Sequence, residues 1–174
     1  VGKVGQREVK ALGLSGQMHS PVFLDAQDEV IRPSILWSDG RTGNQCDEMS
    51  KILGTHRLQR ILGNPILEGF TAPKLAWLRQ EEPSSFSRIA SILIAKDYIG
   101  YKLTGNKSTE PSDASGTSLM DIRHLSWSQE IIEHLDLSNI ELPTILGSTD
   151  FVGTVSEMAS RETGLMSGTP VISG

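Results

Sequence analysis

Residues 69 to 81 read Gly-Phe-Thr-Ala-Pro-Lys-Leu-Ala-Trp-Leu-Arg-Gln-Glu. Thr71 is a residue type that caps helix N-termini, and Pro73 falls in the first helical turn, where a missing N–H costs nothing. Leu75 and Leu78 lie three residues apart, so they share one face of a helix. The stretch therefore predicts a packed helix that begins at Thr71 and ends before the next proline.

A second informative stretch, residues 14 to 19, reads Leu-Ser-Gly-Gln-Met-His. It follows a short apolar run, residues 9–14, that is typical of a strand buried on both faces. In open α/β sheets, ligands bind where strands end in loops. Met18 and His19 are therefore candidates for contact with a ligand.

Strand and helix signals alternate along the whole chain, which predicts an α/β fold without internal repeats. Two further apolar segments, 21–25 and 29–37, are joined by a polar stretch of hairpin length, and we expect them to share one sheet with strand 9–14. Short strands are also predicted at 91–95 and 171–172. Helices are predicted at 41–53, at 55–62 with Thr55 as the cap, and at 96–103. Two more are predicted, one that begins at Ser126 and one that runs from a Thr154–Glu157 capping box to Gly164. Residues 106–121 predict a loop with one short extended piece.

Composition bounds the size of the protein and the class of its partners. A chain of 174 residues with 37% hydrophobic content has the size of one domain with a buried core. A net charge of −5 with 16 Lys and Arg provides no basic stripe for nucleic acid. No apolar run reaches membrane-spanning length, and the first ten residues lack the layout of a signal peptide. We expect a cytoplasmic protein that binds neither nucleic acid nor membrane.

The cysteine and histidine content argues against thiol catalysis and against a metal site. Cys46 is the single cysteine, and the neighbouring carboxylates disfavour its thiolate, so a helix-surface or half-buried structural role is the better interpretation. The four histidines are scattered and show no metal-ligand spacing. We therefore expect no metal bound within this chain.

Together the two stretches resemble the FGGY family of carbohydrate kinases, and within it the xylulokinases. The family signature combines a small or hydroxylated residue, Lys, an aliphatic residue and Trp in the order found at 69–81. The similarity extends from residue 9 to 174 and includes Leu-Trp-Ser-Asp-Gly-Arg at 36–41, Lys-Asp-Tyr at 96–98 and Ser-Asp-Ala-Ser-Gly-Thr at 112–117. The resemblance implies a ribonuclease-H-like α/β lobe of the actin and hexokinase type. Its mixed sheet, flanked by helices, would be incomplete in this chain.

The resemblance also implies the reaction of a longer parent protein. Residues 1–174 would be a partial N-terminal sugar-binding lobe, with the C-terminal lobe absent. The parent would use ATP and Mg²⁺ to convert a ketopentose, D-xylulose above all, into its 5-phosphate. The general-base Asp is expected just beyond Gly174, so we expect no catalytic residue, no bound cofactor and no kinase activity in this chain alone. Such kinases commonly pair, which leaves a homodimer open.

Two other classes of function stay open at this level. The chain could be a non-catalytic sugar-binding or regulatory module derived from such a kinase. It could also be a structural fragment that binds nothing, because an incomplete lobe leaves the pocket unformed.

The Met-His pair of this motif binds the sugar in xylulokinases, whereas glycerol kinases carry Arg-Glu there. The resemblance therefore assigns Met18 and His19 to a ketopentose, with Gln17 orienting their loop. Hydroxyl-rich ligands need groups that donate and accept hydrogen bonds, which suits this interpretation. The alternative is structural: His19 caps a loop and Met18 fills a gap in the core.

Trp37 and Asp39 complete the candidate substrate-binding residues. An aromatic face can stack on a sugar, and an Asp–Arg pair with Arg41 can fix polar groups nearby. The structural alternative is a buried Trp37 and an ion pair that pins the following helix. Gly69 supplies no side chain where some relatives carry a larger residue, so only its backbone could contact a substrate.

Three other charged residues near the motifs have structural interpretations that we favour. Lys74 could bind phosphate, but a Lys in a first helical turn is more often a solvated or ion-paired surface group. Asp97 and Asp113 could be pocket carboxylates, or they could act as N-caps or loop acceptors.

Overall fold

The structure is a computed structural model that describes residues 9–174. In this part of the chain the strands are β1 (Leu12–Gly13), β2 (Pro21–Leu24), β3 (Ser91–Ile94), β4 (Ser108–Thr109), β5 (Met120–Asp121), β6 (Ser126–Trp127), β7 (Thr144–Ile145), β8 (Phe151–Thr154) and β9 (Pro170–Ile172). The helices are α1 (Gly43–Leu53), α2 (Thr55–Leu62), α3 (Thr71–Glu81), α4 (Pro83–Phe86), α5 (Ala95–Thr104), α6 (Pro111–Ser115), α7 (Gln129–His134) and α8 (Glu157–Thr163).

The strands form several small sheets, and the prediction of one sheet from the first three apolar segments is wrong. Strand β9 lies between β1, which is parallel to it, and β8, which is antiparallel. Strand β2 pairs with β3 instead, in an antiparallel pair that brings Pro21 opposite Ile94. β1 and β2 therefore each pair with a strand distant in sequence and not with each other. Two further pairs, parallel β4 with β7 and antiparallel β5 with β6, complete the pairing.

The first strand is shorter than predicted and is covered on one face. Only Leu12 and Gly13 pair as a strand, and Gly13 is exposed. Leu12 and Leu14 pack on a small core, while Ala11 and Gly13 face away from it. This alternation is the period-2 pattern of a half-buried strand, which a short apolar run can conceal when its outward residues are Ala and Gly.

The segment 29–37 is largely irregular, so the predicted strand there is wrong. Val30 makes a single antiparallel bridge to Leu24, and beyond it only Ile35 is buried. Pro33 interrupts the segment, and proline cannot donate to a strand ladder.

Helices α1, α2, α3 and α5 confirm the sequence prediction, but two of their predicted caps are wrong. The N-cap of α2 is Gly54, with Thr55 as the first helical residue. The N-cap of α3 is Phe70, in an extended conformation. Thr71 is instead the first helical residue, and its hydroxyl bonds outside the helix. Gly105 ends α5 in the left-handed conformation, as expected of a C-cap glycine.

The second half of the chain contains more regular structure than predicted. Residues 106–121 include β4, α6 and β5 in place of a plain loop. Ser126 lies in β6, and the helix assigned to it begins at Gln129. The capping box at Thr154 and Glu157 is also wrong, because Ser156 caps α8 by accepting the Ala159 N–H at 3.1 Å. Gly164 ends α8 as predicted.

Two apolar cores hold the elements together, and α5 joins them. The larger core packs the apolar faces of α1, α2, α3 and α7 against β2 and β3, with Phe23, Leu75 and Leu78 fully buried. The smaller core lies between the β1-β9-β8 sheet and helices α5 and α8, around Leu103 and Val171. Helix α5 follows directly from β3 in the larger core and packs on β8 and α8 around the smaller one.

Candidate functional site

Three segments meet around His19: its own loop after β1, the first turn of α3, and the turn that follows α6. Two side chains of α3, Thr71 and Lys74, donate to the main-chain oxygen of His19, each at 3.0 Å. The turn after α6 is tied to α3 as well, because the Ala72 N–H donates to the Thr117 carbonyl at 2.8 Å. The loop after β1 is therefore anchored by contacts from segments distant in sequence.

The imidazole of His19 is fixed in one tautomer. Its Nδ1 lies 2.6 Å from the carbonyl oxygen of Gly116, and since a carbonyl only accepts, Nδ1 carries the proton. Phe70 packs edge-on against the ring, with centroids 4.6 Å apart. Burial, assisted by the charge of Lys74, lowers the pKa of His19 despite the opposing Gly116 bond. Neutral His19 therefore carries its lone pair on Nε2.

The second ring nitrogen, Nε2, differs from Nδ1 in its contacts. It makes no hydrogen bond to any residue in 9–174, and it is not among the fully buried unpaired atoms of that region. His19 as a whole is partly exposed. The alternative in which His19 only caps a loop accounts for the Nδ1 contact and assigns no role to Nε2.

Met18 is 53% exposed, so the alternative in which it fills a gap in the core is wrong. Ser20 connects Met18 to Trp37: its hydroxyl donates to the Met18 carbonyl at 3.3 Å and accepts from the Trp37 N–H at 3.0 Å. Gln17 is exposed and makes no hydrogen bond to residues 9–174, so its predicted orienting role has no contact to support it.

Trp37 lies in a turn and is 52% exposed, which corrects the interpretation of it as a buried residue at a strand end. Its carbonyl oxygen explains the glycine at position 69. A Cβ on Gly69 would lie 2.8 Å from this oxygen, so the two backbones approach closely only because position 69 has no side chain. Backbone contacts thus place Met18, Trp37 and Gly69 near one another, and the side chains of Met18 and Trp37 are exposed there.

Asp39 and Arg41, just after Trp37, form the expected ion pair. Arg41 binds both carboxylate oxygens, at 2.9 and 2.7 Å, and this contact lowers the pKa of Asp39. The guanidinium also lies over the ring of Trp77, 4.7 Å from its centroid. The pair therefore attaches the turn at 37–41 to α3, whereas the structural interpretation expected it to pin the helix that follows, and it leaves Asp39 partly exposed.

Lys74 is completely buried, which corrects both its interpretation as a surface group and its possible role as a phosphate ligand. Its Nζ donates to the carbonyl oxygens of Gly69 at 2.6 Å and His19 at 3.0 Å. No carboxylate in residues 9–174 forms a salt bridge with it. Burial lowers the pKa of Lys74 to about 8, against the weaker opposing effect of Asp39.

A second buried polar cluster lies behind the loop, and the sequence reasoning missed its central residue, Lys96. Lys96 Nζ lies 3.0 Å from Asp97 and 3.5 Å from Asp113, and it donates to the Ser173 carbonyl at 3.0 Å. Burial raises the pKa of Asp97 to about 6 and raises that of Asp113. The available signal was a charged pair directly after the apolar strand β3.

This cluster touches the candidate site through Gly16. A Cβ on Gly16 would lie 3.2 Å from the Cβ of Lys96, so the loop after β1 rests on the cluster. Asp97 and Asp113 are not N-caps: Ile94 occupies that position in α5, and Glu110 caps α6 with its side chain. The cluster supports the loop from behind.

The remaining candidates lie elsewhere. Cys46 is a free, buried thiol in α1, and burial raises its pKa, which agrees with a structural role. Across residues 9–174, no three His, Cys, Asp or Glu side chains are grouped so that they could hold a metal ion. None of the helices described for this part of the chain combines the length and apolarity needed to cross a bilayer.

Comparisons with known proteins identify relatives for nearly the whole chain. The model of the FGGY family of carbohydrate kinases, N-terminal domain, matches residues 2–174. A xylulose kinase of Lactococcus lactis is 45% identical over 156 residues, which cover 89% of this chain and 31% of that protein.

Solved structures agree with this result. The chain superposes on a xylulose kinase from Rhodospirillum rubrum with a TM-score of 0.91 and 27% identity, covering 95% of this chain and 34% of that one. A gluconate kinase from Lactobacillus acidophilus gives a TM-score of 0.88 and 26% identity, covering 97% and 35%.

The chain spans about a third of the length of the curated relatives that it matches, 31% of the Lactococcus protein. Its neighbours are sugar kinases, and it superposes on them along almost all of its own length. The fold class predicted from the sequence, part of a ribonuclease-H-like α/β lobe, is confirmed.

Proposed function

We propose that this chain, which belongs to the FGGY family of carbohydrate kinases, carries the sugar-binding surface of an ATP-dependent kinase for a ketopentose, with D-xylulose as the sugar. Residues 1–174 would form part of the N-terminal lobe, and a second lobe would close over the region around His19. The reaction would transfer the γ-phosphoryl group of ATP to a sugar hydroxyl and yield D-xylulose 5-phosphate.

One observation carries the proposal: the Gly116 carbonyl holds His19 in a single tautomer, which leaves Nε2 as a hydrogen-bond acceptor without a partner among residues 9–174. A sugar hydroxyl can donate to this atom, and a hydrogen-bond acceptor held rigidly in place loses little entropy when the ligand binds. Met18 and Trp37 are both exposed, and the Ser20 hydroxyl links their backbones, so their side chains can cover the apolar side of a short sugar chain. Asp39 can accept from a further hydroxyl.

The choice of D-xylulose rests on the relatives and on the Met18-His19 pair. Curated relatives at 45%, 39% and 38% identity are named xylulose kinases. One structural neighbour is titled a gluconate kinase, so a related polyol or sugar acid is the natural competitor to test.

ATP and Mg²⁺ belong to the proposal for the longer protein, and no residue of this chain is assigned to them. The part of the chain that the structure describes has no grouping of side chains suited to a metal. A cytoplasmic location is also proposed, because the unpaired Cys46 suits a reducing compartment.

Titration calorimetry of the chain with D-xylulose, D-gluconate and glycerol tests the sugar site. We expect saturable binding of D-xylulose and no binding of glycerol. His19→Gln should weaken D-xylulose binding at least about tenfold, since one good hydrogen bond to a ligand is worth on the order of 1.4 kcal/mol. His56→Gln, at an exposed position in α2, is the matched control and should bind as the wild type does.

The outcomes of these titrations are decisive. Preferential binding of D-gluconate would show that D-gluconate, and not D-xylulose, is the ligand of the site. Equal binding by wild type and His19→Gln, or no binding of any sugar, would reject the site.

Kinase activity is tested on the complete reading frame that contains this chain. ATP-dependent phosphorylation of D-xylulose by its product would support the proposal. A product that binds D-xylulose without phosphorylating it would instead indicate a non-catalytic module.

A further inference from the structure

Lys74 occupies a costly position for a cation. Its side chain is completely buried, and its two hydrogen bonds within residues 9–174 are to main-chain carbonyl oxygens. A buried ammonium group normally pairs with a carboxylate, because leaving water costs free energy that neutral acceptors repay only in part. A buried methionine would fill similar space without this cost. The two hydrogen bonds of Lys74 should therefore have a role other than stabilising the ammonium group itself.

One of the two hydrogen bonds fixes the backbone of His19. His19 has φ of 63°, in the left-handed region that residues other than glycine seldom adopt. Strained conformations of this kind persist where the surrounding structure enforces them, and they cluster at ligand sites. Here the enforcement is direct, since the carbonyl oxygen of His19 accepts from Lys74 Nζ and from Thr71 Oγ1, each at 3.0 Å.

The two donors come from one turn of the same rigid helix. Thr71 and Lys74 are three residues apart, so α3 presents them side by side. The second bond of Lys74, to Gly69 at 2.6 Å, joins the same ammonium to the segment that contacts Trp37. One buried cation thus connects the backbone of His19 to the backbone that supports Trp37.

We propose that Lys74 is a positioning residue for sugar recognition: together with Thr71 it holds His19 in its left-handed conformation, so that the ring can bond to Gly116 and present Nε2. The inference rests on the proposed function, because it assigns Lys74 a role through the sugar-binding histidine. Lys74 would thereby contribute to sugar recognition without any contact with substrate or phosphate.

The first test measures the His19 ring in the sugar-free chain by ¹⁵N NMR. In wild type we expect the shifts of a single tautomer protonated on Nδ1. Lys74→Met keeps an unbranched side chain that is one heavy atom shorter and removes its donors, so both ring nitrogens should move toward the averaged values of a mobile imidazole. Arg79→Met is the matched control. It removes another cation of α3, which contacts His134 and Asp136 and not His19, and should leave the His19 shifts unchanged.

The second test measures D-xylulose binding by calorimetry. Lys74→Met should weaken binding at least about tenfold, as expected for misplacing one ligand contact, while Arg79→Met should not. If Lys74→Met does not fold, Thr71→Val and Thr71→Ser decide the question. The valine removes the other donor and should shift the ring and weaken binding, and the serine restores that donor and should recover both relative to valine.

Unchanged His19 shifts in Lys74→Met, or in Thr71→Val where the lysine variant does not fold, would overturn the positioning role. That result is independent of the sugar. A wild-type chain that binds no D-xylulose rejects the proposed function, whereas a ring that moves in these variants still supports the structural link between Lys74 and His19.

Discussion

His19 and Gly116 lie 97 positions apart in the sequence, yet the imidazole Nδ1 of one donates to the carbonyl oxygen of the other at 2.6 Å. The contact is close on both sides. A Cβ on Gly116 would lie 2.6 Å from the His19 ring, so the glycine leaves room for the imidazole and its carbonyl selects the tautomer. The candidate sugar site therefore depends on the turn after α6 as much as on its own loop.

Gly116→Ala should displace the His19 ring without any backbone strain of its own, because φ at this position is −69°. Overpacking of this kind costs about 1–3 kcal/mol of unfolding free energy, and the displaced ring should also weaken D-xylulose binding. Chemical denaturation and calorimetry measure the two effects. Gly13→Ala, where a new methyl group would meet Ile172 at an ordinary 3.5 Å, is the control and should be tolerated. Equal behaviour of the two variants would contradict the steric account.

The buried Lys74 should make stability depend on pH in the alkaline range. Burial lowers its pKa from 10.5 to about 8 in the folded protein, so between these values the unfolded chain binds more protons than the folded one. The unfolding free energy should therefore rise with pH from about 8 to about 10.5, relative to Lys74→Met, by at most about 3 kcal/mol. Denaturation at several pH values checks this. Parallel curves for wild type and variant would show that Lys74 does not titrate in this window.

Asp97 should make stability depend on pH in the acidic range, and the slope should have the opposite sign to that for Lys74. Burial raises its pKa from 3.8 to about 6, so the folded protein binds more protons than the unfolded chain between these values. The unfolding free energy of wild type should fall as pH rises from about 4 to about 6, relative to Asp97→Asn, by at most about 3 kcal/mol.

Asp25→Asn provides a contrast of sign for this measurement. The main-chain N–H groups of Glu29 and Gln27 lower the pKa of Asp25, so its carboxylate stabilises the fold above its unfolded pKa and this contribution is lost on acidification. Asp25→Asn should therefore change the slope of unfolding free energy against pH in the direction opposite to Asp97→Asn. The same change in slope for both variants would contradict the assignment of Asp97.

Arg41→Lys should loosen the turn at 37–41 while leaving the fold intact. Lysine cannot bind both oxygens of Asp39 and stack on Trp77 as the guanidinium does, so the loss is that of a partly exposed pair, about 0.5–1 kcal/mol. We expect a small fall in stability and weaker D-xylulose binding through the Trp37 surface. Arg161→Lys, which replaces an exposed arginine paired with Glu157 in α8, should leave binding unchanged. A wild-type affinity in Arg41→Lys would show that the turn does not contribute to the site.

Local chemistry is where sequence reasoning succeeded. The helix that follows Gly69, the glycine ends of α5 and α8, and the short strand at 91–94 all depend on neighbours within a few residues, and the structure confirms them. The membership of the family was likewise readable from residues 14–19 and 69–81, because a string of constrained residue types needs no three-dimensional information.

Sequence reasoning failed where distant partners decide. Thr71 is a residue type that caps helices, yet its hydroxyl donates a hydrogen bond to the carbonyl oxygen of His19. Lys74 has the chemistry of a surface cation, yet the fold places it in the interior, and only that placement shows that it bonds to two carbonyls. Trp37 was expected inside and lies half exposed.

By itself, the sequence determined the family, the α/β class, and the identity of Met18 and His19 as the residues to examine. The tertiary structure alone decided which nitrogen of His19 is protonated, that Lys74 is buried beneath it, and that Gly69 and Gly116 make room for Trp37 and the imidazole. The physical reason is that helix and turn preferences act over a few residues. Protonation, burial and close packing are properties of groups that only folding brings into contact.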